Sequence, residues 1–89
     1  MAGEHILVVD DEKNIIQLVR LYLERDGFKV SAETNGKAAL EQFQKEPPDL
    51  VILDVMLPEV DGFEVCRRLR AANNPVAIIM LTARDEDID

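Results

Sequence analysis

Leu50-Val51-Ile52-Leu53-Asp54 and Ile6-Leu7-Val8-Val9-Asp10-Asp11 decide the fold, because each is a strand-sized apolar run that stops at an acid. A strand apolar at consecutive positions has no polar face, so it belongs inside a parallel sheet covered on both sides. The segments between these runs have helical spacing. Ile15, Leu18, Val19, Tyr22 and Leu23 recur at intervals of three and four and predict a first helix. Gly27 stands where its C-terminal cap is expected, and Asp11 or Glu12 favours its start. Phe28 to Glu33 alternates as a second strand, and Asn35-Gly36 breaks the chain before a second helix with Ala39, Leu40 and Phe43 on its apolar face. Pro47-Pro48 ends that helix. After Asp54, a loop with Pro58 and Gly62 leads to a third helix carrying Phe63, Cys66 and Leu69 on one side. Asn73-Asn74-Pro75 closes it, Val76 to Leu81 reads as the fourth strand, and Thr82 precedes an acidic tail from Asp85 to Asp89.

Strands alternating with helices predict an α/β domain over residues 1–89, a doubly wound parallel sheet with strands 1–4 and helices 1–3. Right-handed crossovers bring every strand's C-terminal end to one edge, where ligands bind near the point at which strand order reverses. Asp10-Asp11, Asp54 and Thr82 all follow strands, so residues distant in sequence converge in one crevice.

Composition narrows the function classes. The chain has 89 residues, 47% hydrophobic and 31% charged, which is too apolar for a disordered segment and suits one small domain of thin stability. Eighteen acids against ten bases give a net charge of −8, which argues against direct binding to nucleic acid. With Cys66 as its one cysteine, the chain has no intrachain disulfide and no C-x-x-C pair. The first five residues lack the basic and apolar runs of a signal peptide, and no apolar run is long enough to span a membrane, so a cytoplasmic protein is expected. His5, just ahead of the first strand, reads as exposed. Arg67, Arg68 and Arg70 read as a solvated helix face, and the Met56 and Met80 side chains as packing.

Carboxylates brought to one crevice either trap a proton or share a divalent cation, and hard oxygen donors facing water suit Mg²⁺. A metal-screened aspartate can then attack a phosphoryl group. Asp54 is the candidate nucleophile, since it ends the most apolar strand and a loop follows it. Asp11 is the first candidate metal ligand, with Asp10 acting through water or by orienting the cation. Thr82 offers a hydroxyl to a phosphoryl oxygen. Each residue alone also fits a plainer role: a strand-ending Asp often caps the next helix, and Thr82 suits an N-cap.

Ile6-Leu7-Val8-Val9-Asp10-Asp11-Glu12, Leu50-Val51-Ile52-Leu53-Asp54-Val55-Met56-Leu57-Pro58, Asp61-Gly62 and Ile79-Met80-Leu81-Thr82-Ala83 together resemble the receiver domain of bacterial response regulators. The resemblance runs the length of the chain. It implies a flavodoxin-like fold with strand order 2-1-3-4-5. It further implies Asp54 as phosphoacceptor and Asp10 and Asp11 as the acidic pair that binds Mg²⁺. The Met56 backbone carbonyl would be a further ligand and Thr82 the switch hydroxyl. The donor would be a phosphohistidine on a sensor histidine kinase, and the domain a phospho-switch that assists its own phosphotransfer rather than a conventional enzyme. Met56-Leu57-Pro58, Phe63-Glu64-Val65 and Leu81-Thr82-Ala83-Arg84 resemble the branch with a winged-helix, DNA-binding output domain.

Against the family pattern, the sequence stops at Asp89, ahead of a fifth strand, its phosphoryl-pairing lysine and the last helices. None of Lys13, Lys29, Lys37 and Lys45 ends a predicted strand. The expectation is therefore an incomplete receiver with impaired phosphotransfer and an exposed fourth-strand edge, which a second copy covers by pairing or swapping. Two other readings remain: an inert or self-associating receiver fragment, and a haloacid-dehalogenase-like phosphatase. The phosphatase needs a second acid two residues after its nucleophile, where Met56 stands.

Overall fold

The computed structural model describes residues 3–72 and 75–81. Its elements are β1 (His5–Val9), α1 (Lys13–Arg25), β2 (Lys29–Glu33), α2 (Gly36–Lys45), β3 (Leu50–Asp54), α3 (Gly62–Ala71) and β4 (Ala77–Leu81). All neighbouring strands pair in parallel, in the order β2-β1-β3-β4. This matches the first four strands of the expected flavodoxin-like order, and the chain runs one way from β1 to β2 and the other way from β1 to β3. The reversal point therefore falls between β1 and β3.

The apolar runs are buried on both faces, as their lack of a polar side requires. Leu7 and Val9 of β1 with Val51 and Leu53 of β3 pack against Ala39 and Phe43 of α2 and Val65 and Leu69 of α3. Ile6 and Val8 point the other way, with Ile16 of α1 against them and Val19, Leu23, Leu50 and Ile52 around. The helices are set by local chemistry. Asn35 caps α2 by accepting from the Ala38 N–H at 2.8 Å, and Gly27, at φ +95°, turns the chain out of α1 into β2.

Four side-chain expectations are corrected. His5 is buried, not exposed: the β1 ladder starts one residue before the apolar run, opposite Lys29, and the His5 ring nitrogen Nε2 lies 2.7 Å from Ser31 Oγ. In α1, Ile16, Val19 and Leu23 meet the sheet, whereas Leu18 and Tyr22 are exposed. Apolar residues cover more than one face of this helix, so spacing alone does not choose the inward one. Phe63 is 64% exposed at the start of α3, where Val65 and Leu69 face inward instead. Met56 is 60% exposed and does not pack, because it sits in the loop beyond β3, while Met80 does pack against the α2/α3 core.

Candidate functional site

Asp10 follows β1 and Asp54 ends β3, so the two acids stand side by side at the reversal point. Asp54 is 3% exposed and Asp10 5%, while Asp11 is open to solvent. The two buried acids share one local device. Asp10 Oδ1 accepts from the Glu12 N–H at 2.9 Å, and Asp54 Oδ1 accepts from the Met56 N–H at 3.1 Å. Each carboxylate thus holds the chain two residues on as it leaves its strand. Neither caps a helix in the usual way: Glu12 stands at the N-cap of α1, and Asp61 caps α3 by accepting from the Glu64 N–H at 2.9 Å. The plain reading of Asp54 as a helix cap is thereby removed.

One carboxylate oxygen from each of Asp10, Asp11 and Asp54 lies within 4.8 Å of the others. Burial pushes the Asp10 carboxyl above the ordinary aspartate value, the Glu12 amide opposes the rise, and the charges of Asp54 and Asp11 add to it. A cluster of this kind repels itself unless a proton or cation sits among the oxygens. Its hard oxygen donors, part buried and part open, fit a divalent cation.

The loop from Val55 to Asp61 is drawn tight beneath this cluster. The Val55 carbonyl accepts from Leu57 N–H at 3.1 Å and from Gly62 N–H at 3.0 Å, and Glu59 adopts φ 65°. A Cβ on Gly62 would fall onto the Asp54 carbonyl oxygen, so only glycine lets α3 begin against the end of β3. Beside the acids an open cleft of about 550 Å³ runs from Asp11 past Met56 and Pro58 to Phe63. From sequence, Phe63 falls on the packed side of the third helix and not at the site, and the amides of Glu12 and Met56 are not singled out. Asx geometry at a strand end is the signal that points to the two amides, whereas no sequence pattern marks Phe63 as exposed. The β3–β4 ladder continues through Asp54 opposite Leu81, with Val55 N–H donating to the Leu81 carbonyl at 3.0 Å. Thr82, next in sequence, lies outside the described residues, as does the segment that follows it.

Residues 6–89 match the family described as the response regulator receiver domain. The chain is 50% identical over 87 residues to the alkaline phosphatase synthesis transcriptional regulatory protein PhoP of Bacillus subtilis, covering 98% of this chain and 36% of that protein. It is 47% identical over 85 residues to the transcriptional regulatory protein CseB of Streptomyces coelicolor, covering 96% of this chain and again 36% of the relative. The chain thus spans little more than a third of the length of these curated relatives. Among solved structures, response regulator TrrA of Thermotoga maritima in complex with Mg²⁺-BeF superposes with a TM-score of 0.87 at 40% identity, over 92% of this chain and 71% of that one. The N-terminal domain of a response regulator receiver protein from Methanoculleus marisnigri gives a TM-score of 0.86 at 36% identity, over 93% and 69%. On the matched residues, the shared identity and the common fold, this chain belongs to the response regulator receiver domain family, the phosphorylatable switch of two-component signalling.

Proposed function

We propose that Asp54 accepts a phosphoryl group from a phosphohistidine on a sensor histidine kinase. The observation that carries this is the convergence of Asp10, Asp11 and Asp54 within 4.8 Å at the reversal point of the sheet. We assign Mg²⁺ to the carboxylates of Asp10, Asp11 and Asp54 and to the Met56 backbone carbonyl. Bound there, Mg²⁺ offsets repulsion between carboxylate and phosphoryl oxygens.

The chain's own groups do the positioning. The Met56 amide holds Asp54 Oδ1 and so fixes the carboxylate, leaving Oδ2 as the attacking oxygen. The Oδ2–P bond forms as the N–P bond of the donor breaks, and the departing imidazole keeps that electron pair. Glu12 N–H holds Asp10 in the same manner, so two acids meet the incoming charge in set orientations. Thr82 is assigned as the hydroxyl that donates to a phosphoryl oxygen, from its place directly after Leu81, the residue opposite Asp54. In this role the chain is an acceptor that assists its own modification and is not a turnover enzyme.

The names of the relatives support an output in transcription control, and a net charge of −8 supports no direct hold on nucleic acid by this chain. The reading puts the chain in the cytoplasm with the kinase. Separately, among the described residues no helix is long and apolar enough to cross a membrane.

Incubation with acetyl phosphate and Mg²⁺ tests the proposal. One phosphoryl group should add to the wild-type mass and none to Asp54→Asn, and an unmodified wild type sinks it. A second reading, self-association, is favoured by β4, whose Ile79 is half exposed on a strand paired on one side among the described residues. Sedimentation at micromolar concentration showing a monomer rejects it. Turnover of phosphate esters would instead favour the phosphatase reading, although Met56 stands where that chemistry needs an acid.

A further inference from the structure

A second concavity lies between the C-terminal ends of α2 and α3, at the sheet edge opposite the three acids. Its volume of about 450 Å³ falls within the roughly 300–1,000 Å³ common for small-molecule sites. Phe43 and Leu69 form a buried floor, and Leu40 and Pro47 add apolar wall. Arg68 and Gln44 supply the polar rim, and Arg68 is the one charged side chain among the described lining residues.

The charge around Arg68 differs from that of the chain as a whole. Glu64 serves two arginines: Arg67 Nε meets its Oε1 at 3.0 Å, and Arg68 Nε meets its Oε2 at 2.8 Å. The hydrogen bonds from Arg67 and then Arg68 hold the Glu64 carboxyl down to about 2, so it stays ionised at neutral pH. Glu64 divides one negative charge between Arg67 and Arg68, so Arg68 reaches the cavity rim only partly neutralised, in a chain of net charge −8. A cationic ligand is disfavoured beside that rim. A bare inorganic anion gains nothing from the Phe43–Leu69 floor. What satisfies both is a molecule with an apolar body and a single carboxylate.

We propose that the α2–α3 cavity binds a small apolar carboxylic acid, its body on Phe43, Leu69 and Leu40 and its carboxylate on the Arg68 guanidinium. This site is independent of the phosphoacceptor reading and stands or falls without it.

The experiment is an amide NMR titration of the whole 89-residue chain with 4-phenylbutyrate, run against the uncharged 4-phenylbutyramide. The acid should give saturable shifts at Leu40, Phe43 and Leu69 and bind about tenfold more tightly than the amide. In Arg68→Gln, an exposed substitution, that preference should vanish while the amide binds as before. Leu40→Trp, which narrows the cavity, should weaken both ligands. The proposal is overturned if no saturable shift appears at these three residues, if acid and amide bind the wild type equally, or if the preference survives in Arg68→Gln.

Discussion

At the N-terminal edge of the sheet, Asp49 accepts from the His5 backbone N–H at 2.8 Å and returns its own N–H to the His5 carbonyl at 2.8 Å. At the C-terminal edge, Asp10, Asp11 and Asp54 are gathered within 4.8 Å of one another. The first acid works as a fastener, fixing where β1 begins. The other three are held where their charges oppose one another, and two of them are nearly buried. Folding stability does not require that arrangement, and the repulsion works against it. Carboxylates kept together against their own repulsion mark the edge that does chemistry, whereas a carboxylate exchanging hydrogen bonds with the neighbouring strand, away from other acids of the cluster, marks one that only folds.

Mutations can break this contrast, beginning with the largest effect. Gly62→Ala should destabilise the domain by about 2 kcal/mol, because the new Cβ meets the Asp54 carbonyl and the α3 start must shift; urea unfolding measures it. Asp11→Asn should leave the fold intact and weaken Mg²⁺ binding about tenfold, as followed by calorimetry. Asp49→Ala should reduce stability by about 1 kcal/mol, with no change in Mg²⁺ affinity. An equal loss of metal binding there would erase the distinction between the edges.

Asp10→Asn sharpens the contrast through pH. Burial raises the folded-state pKa of Asp10, so the folded chain holds that proton more tightly than the unfolded one. Its favourable contribution is present in acid and is lost as pH rises through the folded pKa. Metal-free Asp10→Asn should therefore be slightly more stable than wild type at pH 7, and the gain should fade as pH falls through the raised folded-state pKa and be gone below the ordinary aspartate value of 3.8. Thermal unfolding across pH checks the sign. A destabilised variant at pH 7 would show that Asp10 serves the fold after all.

The core strands and the acids that end them were legible because both signals are local. Val51 and Leu53 alternate with Ile52 in a run without a polar face, and Asp54 ends it. Gly62 and Asn35 were legible as chain-turning residues, though not the contact that makes glycine obligatory at 62. The exposed face of α1 was not legible, since Leu18 and Tyr22 fit a helical stripe as well as Val19 and Leu23 do. Nor was the burial of His5, which depends on Ser31 and Asp49, residues brought to it only by strand pairing. Arg67, Arg68 and Arg70 are exposed, as a solvated helix face requires, but the place of Arg68 on the rim of a cavity was not legible, because it depends on α2 lying beside α3.

The division between the two edges is tested most directly by adding beryllofluoride and Mg²⁺ and following backbone amides by NMR. The Glu12 and Met56 amides, which hold Asp10 and Asp54, should shift strongly, while those of Ser31 and Asp49 stay in place. Unmoved Glu12 and Met56 amides, or an equal response at Ser31 and Asp49, would contradict the account.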